Sequence, residues 1–403
     1  MSSPNTKHIV LFVTVVFVLV ATAYFVFPAL TKTRYLGAEN ANQKDVYTQD
    51  MSGTDSVVVE LPAEAPQVPP PVTHIQTPEQ VKAIYLSSWV AGSKSFRDKV
   101  MKVVDETEVN TVVIDVKDST GRISFEVYDP ELKAVGSVER RIADLPGLVA
   151  DLHEKGIYII GRIAVFQDPY FVKKYPEFGV KKASDRNVLW ADRKGIHWLD
   201  AGSQDVWDYA VAIGREAYAQ GFDELNFDYI RFPSDGNMKD IWYPISEGKV
   251  KKDVIRSFFE YIHASFGVSG EKTSADLFGM TTTNTDDLGI GQVLEDALLN
   301  FDYVAPMVYP SHYPPNWNGF KNPAAKPYEV IHAAMAGAVA KAKVVGVDPL
   351  KLRPWLQDFD MGAKYTPEMI RAQIKATYDV GLDSWMMWDP ANTYTQGGYI
   401  KDY

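Results

Sequence analysis

Four carboxylates fall within the fifteen residues GFDELNFDYIRFPSD (221–235), a stretch that otherwise has the apolar character of a buried strand. Burying a carboxylate is costly unless the group is paired with a cation or takes part in chemistry. Alternate side chains of a strand point to opposite faces, so Glu224, Asn226 and Asp228 share one face and the apolar residues between them share the other. This spacing predicts a strand with polar groups along one face, with Asp228 nearest its carboxyl end.

The next predicted strand, 273–279, carries a second isolated carboxylate, Asp276, at a comparable height. Two carboxyl groups at neighbouring strand ends can divide the work of glycoside hydrolysis, because one protonates the leaving oxygen while the other acts as nucleophile or activates water. We therefore predict Asp228 and Asp276 as the catalytic pair, with their individual roles unassigned. The alternatives are a structural salt bridge for Asp228, for instance with Arg231, and a capping or ligand-orienting role for Asp276.

A regular alternation of strand-like and helical segments positions these residues. Eight predicted strands alternate with seven predicted helices. The strands are 82–89, 111–117, 157–164, 222–230, 273–279, 302–308, 352–357 and 382–388, and the helices are 94–107, 141–155, 204–220, 251–266, 291–300, 327–343 and 366–380. This order predicts an α/β fold, a (β/α)8 TIM barrel, with a doubly wound open sheet as the alternative. Only DPANTYTQGGYIKDY follows Trp388, so we expect an incomplete eighth helix.

Nearly every predicted strand ends in a carboxylate, an aromatic residue or both, and in a TIM barrel the active site forms at these ends. Asp115 and Lys117 are predicted to share one face of their strand. Glu224, deeper in the barrel, is expected to pair with a cation such as Arg162 or Lys117. The substrate-binding residues predicted from the strand ends are Trp89, Asp115, Lys117, Arg162, Asn226, Tyr229, Arg231, Tyr309, Trp355, Gln357, Trp388 and Asp389.

Aromatic residues are concentrated where a sugar would bind. All nine tryptophans follow residue 88, and the flat C–H faces of sugar rings stack on aromatic rings. The loop PSHYPPNWNGF (310–320) is predicted to form one wall of the site, and the tryptophan-bearing segment 165–203 another. About half of the tryptophans are expected in the core, among them Trp207 and Trp385.

Composition and motifs exclude several classes of function. The net charge of −11 argues against a nucleic-acid-binding surface, and the absence of cysteine excludes disulfides and thiolate chemistry. The seven histidines form no H-x-x-H or H-E-x-x-H pair, and no glycine-rich phosphate-binding motif is present, so we predict neither a metal nor a cofactor. The same histidine pattern disfavours a metal-dependent polysaccharide deacetylase.

The N-terminal residues have the composition of a membrane anchor. Ile9–Leu30 is a run of 22 uncharged residues, long enough to cross a hydrocarbon core of about 30 Å. We predict an uncleaved signal-anchor over 1–35, with a cleaved signal peptide ending near 21–23 as the alternative. Residues 36–78 are polar and then proline-rich, which predicts a disordered linker. The barrel, 79–403, is thus expected on the extracytoplasmic side of a cell membrane that one helix crosses.

Five stretches together resemble a known family: WLDAGSQDVWDYA, GFDELNFDYIRFPSDG, DYVAPMVYPSHYPPNWNGF, LRPWLQDFD and SWMMWDPANTY. The resemblance spans roughly residues 80–403 and is to the glycosyl hydrolase domain of bacterial envelope proteins. It implies a TIM-barrel, glycoside-hydrolase-like domain, often behind a signal or anchor segment. It also matches Asp228 and Asp276 to the carboxylates that end the fourth and fifth strands.

Residues and resemblance together predict a membrane-anchored, extracytoplasmic glycoside hydrolase. Its expected substrate is a cell-envelope or extracellular polysaccharide, cleaved by carboxylate acid/base chemistry. The alternative is a non-catalytic glycan-binding TIM-barrel module. That alternative is favoured if Asp228 and Asp276 lie too far apart, or if one of them is locked in a salt bridge.

Overall fold

Eight strands pair in chain order into a closed parallel barrel, in which the last strand pairs with the first. The structure is a computed structural model that describes residues 72–400. The strands are β1 (Lys82–Leu86), β2 (Thr111–Lys117), β3 (Tyr158–Ala164), β4 (Glu224–Asp228), β5 (Lys272–Phe278), β6 (Tyr303–Met307), β7 (Trp355–Gln357) and β8 (Trp385–Trp388). The predicted eight-stranded barrel is therefore confirmed, and closure of the sheet excludes the open doubly wound alternative.

The strands are enclosed on both faces, which explains their largely apolar composition. Every residue of β1, β2, β3 and β4 is buried, as expected for parallel strands with helices outside and side chains filling the inside. The β-branched residues of β2 (TVVIDVK) and β3 (YIIGRIA) suit this environment. The charged residues of these strands need partners within the protein, because little of their surface is exposed to water.

Ten α-helices lie between these strands within residues 72–400. They are α1 (Ser88–Gly92), α2 (Lys94–Glu106), α3 (Pro130–Val135), α4 (Leu145–Glu154), α5 (Pro169–Lys174), α6 (Gln204–Ala219), α7 (Lys251–Phe266), α8 (Leu294–Asn300), α9 (Pro327–Val344) and α10 (Pro367–Asp379). The seven predicted helices are all present. The additional helices α1, α3 and α5 are short, and α3 and α5 begin with an aspartate cap followed by proline, a common helix start.

The C-terminal strap (389–400) takes the place of the eighth helix, since no α-helix follows β8 in the described residues. Its Tyr399 stacks on Trp385 with ring centroids 6.0 Å apart. Near α10, Arg371 donates a hydrogen bond to the backbone of the strap, and beyond the end of α2 Glu108 accepts one from it. The strap therefore covers the gap between the last long helix and the first.

The floor segment (72–78) closes the amino-terminal end of the barrel. The Ile75 N–H donates to Asp223 Oδ1 at 3.0 Å, and the hydroxyls of Thr77 and Tyr158 are hydrogen-bonded at 3.0 Å. The Ile75 side chain packs against the apolar cluster inside the barrel. The last residues of the predicted linker are thus part of the barrel's packing.

The predicted anchor (1–35) and the linker as far as residue 71 lie outside the described residues. Within 72–400, no helix combines the length and apolar composition needed to cross a bilayer. The anchor and the predicted domain boundaries stay predictions from the sequence.

Candidate active site

One arginine gathers three carboxylates at the carboxyl-terminal mouth of the barrel. Arg162, on β3, donates from Nη1 to Asp115 Oδ1 of β2 at 2.7 Å. It donates from Nε to Asp228 Oδ2 of β4 at 3.1 Å, and from Nη2 to the same oxygen. Its Nε also lies 3.8 Å from Asp276 Oδ2 of β5. Four adjacent strands therefore contribute one charged cluster, which we call the mouth cluster (Asp115, Arg162, Asp228 and Asp276).

Asp276 is held from one side only. Its Oδ1 accepts hydrogen bonds from Asn226 Nδ2 at 2.9 Å and from Trp355 Nε1 at 2.8 Å. Within residues 72–400 no donor reaches its Oδ2 within hydrogen-bonding distance, and the nearest cation to that oxygen is Arg162. These contacts fix the orientation of the carboxyl group and leave Oδ2 as the position for a proton.

The charges of the mouth cluster favour protonation of Asp276. Burial, together with the negative charge of Asp228, raises the pKa of Asp276 to about 8, while Arg162 and the two donors on Oδ1 act in the opposite direction. Burial also raises the pKa of Asp115. Three carboxylates share a single guanidinium, so a proton on Asp276 relieves the excess negative charge. Burial and the neighbouring carboxylates therefore favour the protonated form of Asp276.

Asp228 is fixed by both of its oxygens. Arg162 occupies Oδ2, and the N–H of Tyr229 donates to Oδ1 at 2.6 Å. Tyr229 has a φ of +54°, a left-handed conformation that is unfavourable for a tyrosine. Backbone strain of this kind is often found at functional sites. The ion-pair partner of Asp228 is Arg162, and not Arg231 as the sequence suggested for a structural role.

A cavity of about 530 Å³ opens above the mouth cluster. Eight residues predicted from the sequence line it: Arg162, Asp228, Tyr229, Arg231, Asp276, Tyr309, Trp355 and Trp388. Arg162 lies 5.0 Å from the centroid of the Trp388 ring, and the Trp355 and Trp388 rings meet edge to face at 5.6 Å. The cavity thus combines charged groups at its base with aromatic faces at its side, as sugar-binding clefts do.

Two predicted residues support the cavity from below. Asn226 donates to Asp276 and to Ser274 Oγ, the latter at 3.1 Å. Asp115 accepts from Arg162 and, at 2.5 Å, from the hydroxyl of Tyr85. Neither residue lines the cavity, but each fixes a residue that does.

Four predicted residues lie away from the cavity. Trp89 is 60% exposed on α1. Gln357 donates to the Phe359 carbonyl at 2.9 Å and accepts from the Ser311 N–H at 3.1 Å, so it braces two loops. Asp389 accepts from the backbone of the C-terminal strap and holds its first turn. The fourth is Lys117.

Lys117 is turned outward, contrary to the predicted shared face with Asp115. The β2–β3 register shifts between these two residues, so the strict alternation of side chains is broken. Lys117 donates to Asp168 at 2.5 Å and lies 5.3 Å from the centroid of the Tyr209 ring, between the barrel and α6. The sequence of β2, TVVIDVK, carries no signature of this bulge.

The predicted partners of Glu224 also differ from those in the structure. Glu224 Oε2 accepts from Arg353 Nη1 at 2.8 Å, near the barrel floor. Arg162 is instead used at the mouth, and Lys117 faces the helix layer. Glu224 is thus a buried, paired carboxylate as expected, with a partner contributed from just before β7.

Other cavity residues were not singled out from the sequence. Lys194 and His312 line the cavity, and each lies within one of the two predicted walls, 165–203 and 310–320. In the first wall, Trp190 and Trp198 are buried in the core, so the cavity contact there comes from Lys194. Nothing in the local sequence distinguishes Lys194 from an ordinary surface lysine.

Among the described residues, no three His, Asp or Glu side chains are arranged to hold a metal ion. The carboxylates of the mouth cluster surround the Arg162 guanidinium, which lies where a cation between them would be placed.

Comparison with known sequences gives one match to a family. The family described as "Putative glycosyl hydrolase domain" matches residues 83–394. No curated protein matches the chain.

Solved structures with similar folds include two glycoside hydrolase domains. The domain of PgaB (BpsB) from Bordetella bronchiseptica is 16% identical, with 78% of this chain and 95% of that chain covered and a TM-score of 0.56. The glycoside hydrolase domain of PelA from Pseudomonas aeruginosa is 14% identical, with 81% of this chain and 100% of that chain covered and a TM-score of 0.43. A hypothetical protein from Ruminiclostridium thermocellum is 32% identical, with 51% of this chain and 98% of that chain covered and a TM-score of 0.43. The similarity to PgaB supports a shared barrel fold.

Proposed function

Because the chain belongs to this glycosyl hydrolase domain family, we propose that it is a glycoside hydrolase that cleaves a cell-envelope or extracellular polysaccharide. The observation that carries the proposal is the carboxyl pair at the mouth, in which Asp228 is held by Arg162 while Asp276 is buried, held on one oxygen by Asn226 and Trp355, and has its pKa raised by burial. General acid catalysis at a glycosidic oxygen needs a protonated carboxyl group at neutral pH.

The spacing of the pair suits this chemistry. Asp228 Oδ2 and Asp276 Oδ2 lie 3.1 Å and 3.8 Å from the same Arg162 Nε, so they are separated by no more than these distances combined, about 7 Å. Carboxyl groups are about 5–5.5 Å apart in retaining glycosidases and about 6.5–9.5 Å apart in inverting ones. The upper limit includes the whole retaining range and only the lower end of the inverting range.

The proposed roles follow from the contacts. Asp276 donates its proton to the leaving oxygen from Oδ2, while Asn226 and Trp355 hold the carboxyl group in orientation. Asp228 acts as nucleophile or activates water, and Arg162 keeps it in position. Trp388, which is partly exposed at the cavity, offers an aromatic surface to the sugar rings.

The ion pair between Arg162 and Asp228 favours a second candidate function. Both oxygens of Asp228 accept hydrogen bonds, from Arg162 and from Tyr229 N–H. A carboxylate held this firmly also suits a glycan-binding module that has the cleft without the chemistry. The two functions differ in whether bound glycan is cleaved.

The test is a screen of envelope and extracellular polysaccharides with the wild-type protein and the variants Asp228→Asn and Asp276→Asn. We expect released reducing ends with the wild type and loss of release with both variants. Binding without release by all three proteins would favour the glycan-binding module, and release undiminished in Asp228→Asn would overturn its assigned role.

We also propose that the protein is anchored in the cell membrane through residues 9–30, with the barrel on the extracytoplasmic side. The support is the uncharged run of 22 residues and the proline-rich linker after it. The tests are fractionation of cells and digestion of intact cells by an added protease. Recovery of the full-length chain in the soluble fraction, or protection of the barrel from protease, would contradict this location.

A further inference from the structure

Arg231 is a buried cation without a carboxylate partner. Three arginines are buried within residues 72–400: Arg162, Arg231 and Arg353. Arg162 and Arg353 each donate to carboxylates, whereas no carboxylate of the described residues lies within 4 Å of the Arg231 guanidinium. A buried charge without an ion pair in direct contact is costly, so the position of this residue calls for an explanation.

The groups in contact with Arg231 orient its guanidinium, and the negative charges of Asp228, Asp235 and Asp192 act on it only from beyond 4 Å. Its Nη1 donates to the Phe232 carbonyl at 3.0 Å and to Ser234 Oγ at 3.2 Å. The guanidinium lies 4.7 Å from the Trp198 ring centroid and 4.6 Å from that of Phe278. Rings on these sides limit its movement, and within residues 72–400 no acceptor is hydrogen-bonded to its Nε or Nη2.

The unused side of Arg231 belongs to the cavity. Arg231 lines the cavity together with Arg162, Asp228 and Asp276, and Lys194 adds a further positive charge to the lining. Lys194 is exposed on a turn, with its backbone N–H bonded to Asp192. Three cations therefore line the cavity of a protein whose net charge is −11, and two of them, Arg231 and Lys194, form no ion pair with the mouth cluster. A polyanion is repelled by the protein as a whole, so its binding needs a local positive site of this kind.

We propose that Arg231 and Lys194 form a subsite for an acidic sugar, whose carboxylate is bound by the Arg231 fork while Lys194 contributes a second positive charge. A planar guanidinium matches a carboxylate through two parallel hydrogen bonds. The inference rests on the proposed function in one respect, that the cavity receives a glycan. A phosphate substituent on a sugar offers the same anionic chemistry and is a separate arm of the test.

The experiment compares matched neutral and acidic ligands by calorimetry. Hexamers of glucose, galactose and mannose are titrated into the full chain beside the corresponding C6-oxidised hexamers, which differ only in carrying carboxylates. We expect at least one oxidised hexamer to bind about 10-fold more tightly than its neutral counterpart, the effect of one charge-assisted hydrogen-bonded contact. High ionic strength is expected to weaken that preference.

Variants locate the preference within the cavity. Arg231→Gln and Lys194→Gln are expected to reduce the ratio of affinities for the oxidised and neutral hexamers. Arg231→Lys is expected to preserve part of this ratio because the positive charge remains. Arg193→Gln, next to Lys194 but absent from the cavity lining, is the matched control and is expected to leave it unchanged. Lys194→Gln alters an exposed side chain, so it tests the subsite even if Arg231→Gln fails to fold.

The outcomes separate this proposal from the proposed function. A preference for the oxidised hexamer that is unchanged in Arg231→Gln and Lys194→Gln overturns the subsite, and so does equal binding of neutral and oxidised hexamers when inorganic phosphate is not bound either. Inorganic phosphate bound by the wild type but not by Arg231→Gln, with no uronate bound, keeps the subsite and assigns it to a phosphorylated glycan. If neither anion binds, the proposal is overturned. The titrations are repeated with Asp276→Asn, which is expected to bind glycan without cleaving it. If the protein does not hydrolyse glycans, the binding results for the subsite still stand.

Discussion

At the scale of single residues, the position of one proton decides what the mouth of the barrel can do. Asp115 and Asp228 both accept hydrogen bonds from Arg162, whereas the nearest contact of Asp276 with this guanidinium is 3.8 Å long. Asp276 is therefore the carboxyl group that Arg162 stabilises least in its charged form, and the one expected to keep a proton. Its chemistry and its contribution to stability both follow from this position.

Asp276→Asn is expected to lower kcat by about 100-fold to 10,000-fold, the usual contribution of a general acid. The amide oxygen can still accept from Asn226 and Trp355, so the fold and the affinity for glycan are expected to survive. The measurements are kcat on a cleaved polysaccharide and the midpoint of urea unfolding. Asp98→Asn, on exposed α2, is the control, and wild-type kcat in Asp276→Asn would contradict the assigned role.

The raised pKa of Asp276 also predicts a loss of activity in alkaline solution. The acid must be protonated to act, so kcat/KM is expected to fall as the pH rises through about 8. The measurement is a pH profile of kcat/KM on the cleaved polysaccharide. A profile that stays flat to well above pH 8 would show that another group donates the proton.

The same pKa predicts the pH dependence of stability. The pKa of Asp276 rises from 3.8 to about 8 on folding, so between these values the folded protein holds a proton that the unfolded chain releases. This contribution to the free energy of unfolding is complete below pH 3.8 and is lost as the pH rises through about 8. Asp276→Asn removes this contribution. The unfolding free energy of the wild type minus that of the variant, measured with urea, is therefore expected to fall as the pH rises from 3.8 to about 8. A difference that is constant with pH would contradict the protonated state.

At the scale of elements, the mouth cluster joins β2, β3, β4 and β5 through a single side chain. Arg162→Met leaves three buried carboxylates without their cation, which is expected to cost about 3–5 kcal/mol of unfolding free energy. Protonation of these carboxylates offsets part of the loss, so the cost is expected to be smaller at pH 5 than at pH 8. Urea unfolding at pH 5 and at pH 8 measures both the loss of stability and its dependence on pH.

Arg353→Met is the matched control for that prediction. It breaks the buried pair with Glu224 near the floor, away from the mouth. We expect a comparable loss of stability with hydrolysis retained under conditions where the variant is folded. Equal loss of activity in both variants would mean that the Arg162 effect arises from general destabilisation.

The elements themselves could be predicted from the sequence, whereas several partners could not. Period-two and period-3.6 patterns identify all eight strands and the seven longer helices, because burial of a barrel strand or of one helix face constrains composition directly. Side-chain partners depend on register and on distant segments. The shift between Asp115 and Lys117 reverses one side chain, and Arg353 reaches Glu224 across 129 positions of chain. That Asp228 and Asp276 lie near each other at the mouth could be expected from strand order, whereas the contacts of Arg162 and the charges that favour a proton on Asp276 needed the three-dimensional structure.

At the scale of the whole molecule, the barrel is sealed by segments from both ends of the described chain. The C-terminal strap replaces a helix at the side, where the hydroxyl of Tyr399 and the backbone N–H of Thr395 donate to Asp358. The floor segment covers the amino-terminal ends of the strands. The folded unit therefore begins before β1, within the segment that sequence composition assigned to a linker.

A chain that begins at residue 72 is expected to match the stability of the full chain, whereas one that begins at 79 is expected to lose about 2–4 kcal/mol. The loss combines partial exposure of the barrel interior beneath Ile75 with two hydrogen bonds of about 1 kcal/mol each. Urea unfolding of the two shortened proteins measures the difference. Equal stability would show that the floor segment contributes nothing to the fold.

The floor segment also determines at which end the protein can be attached to a surface without blocking the cavity. It covers the end of the barrel opposite the cavity, so a bead or sensor surface coupled to the first residue of a chain that begins at residue 72 lies at the sealed end. The mouth then stays open to long polymers. Immobilised in this way, the Asp276→Asn variant is expected to serve as a capture reagent that retains intact glycan chains from a mixture for identification.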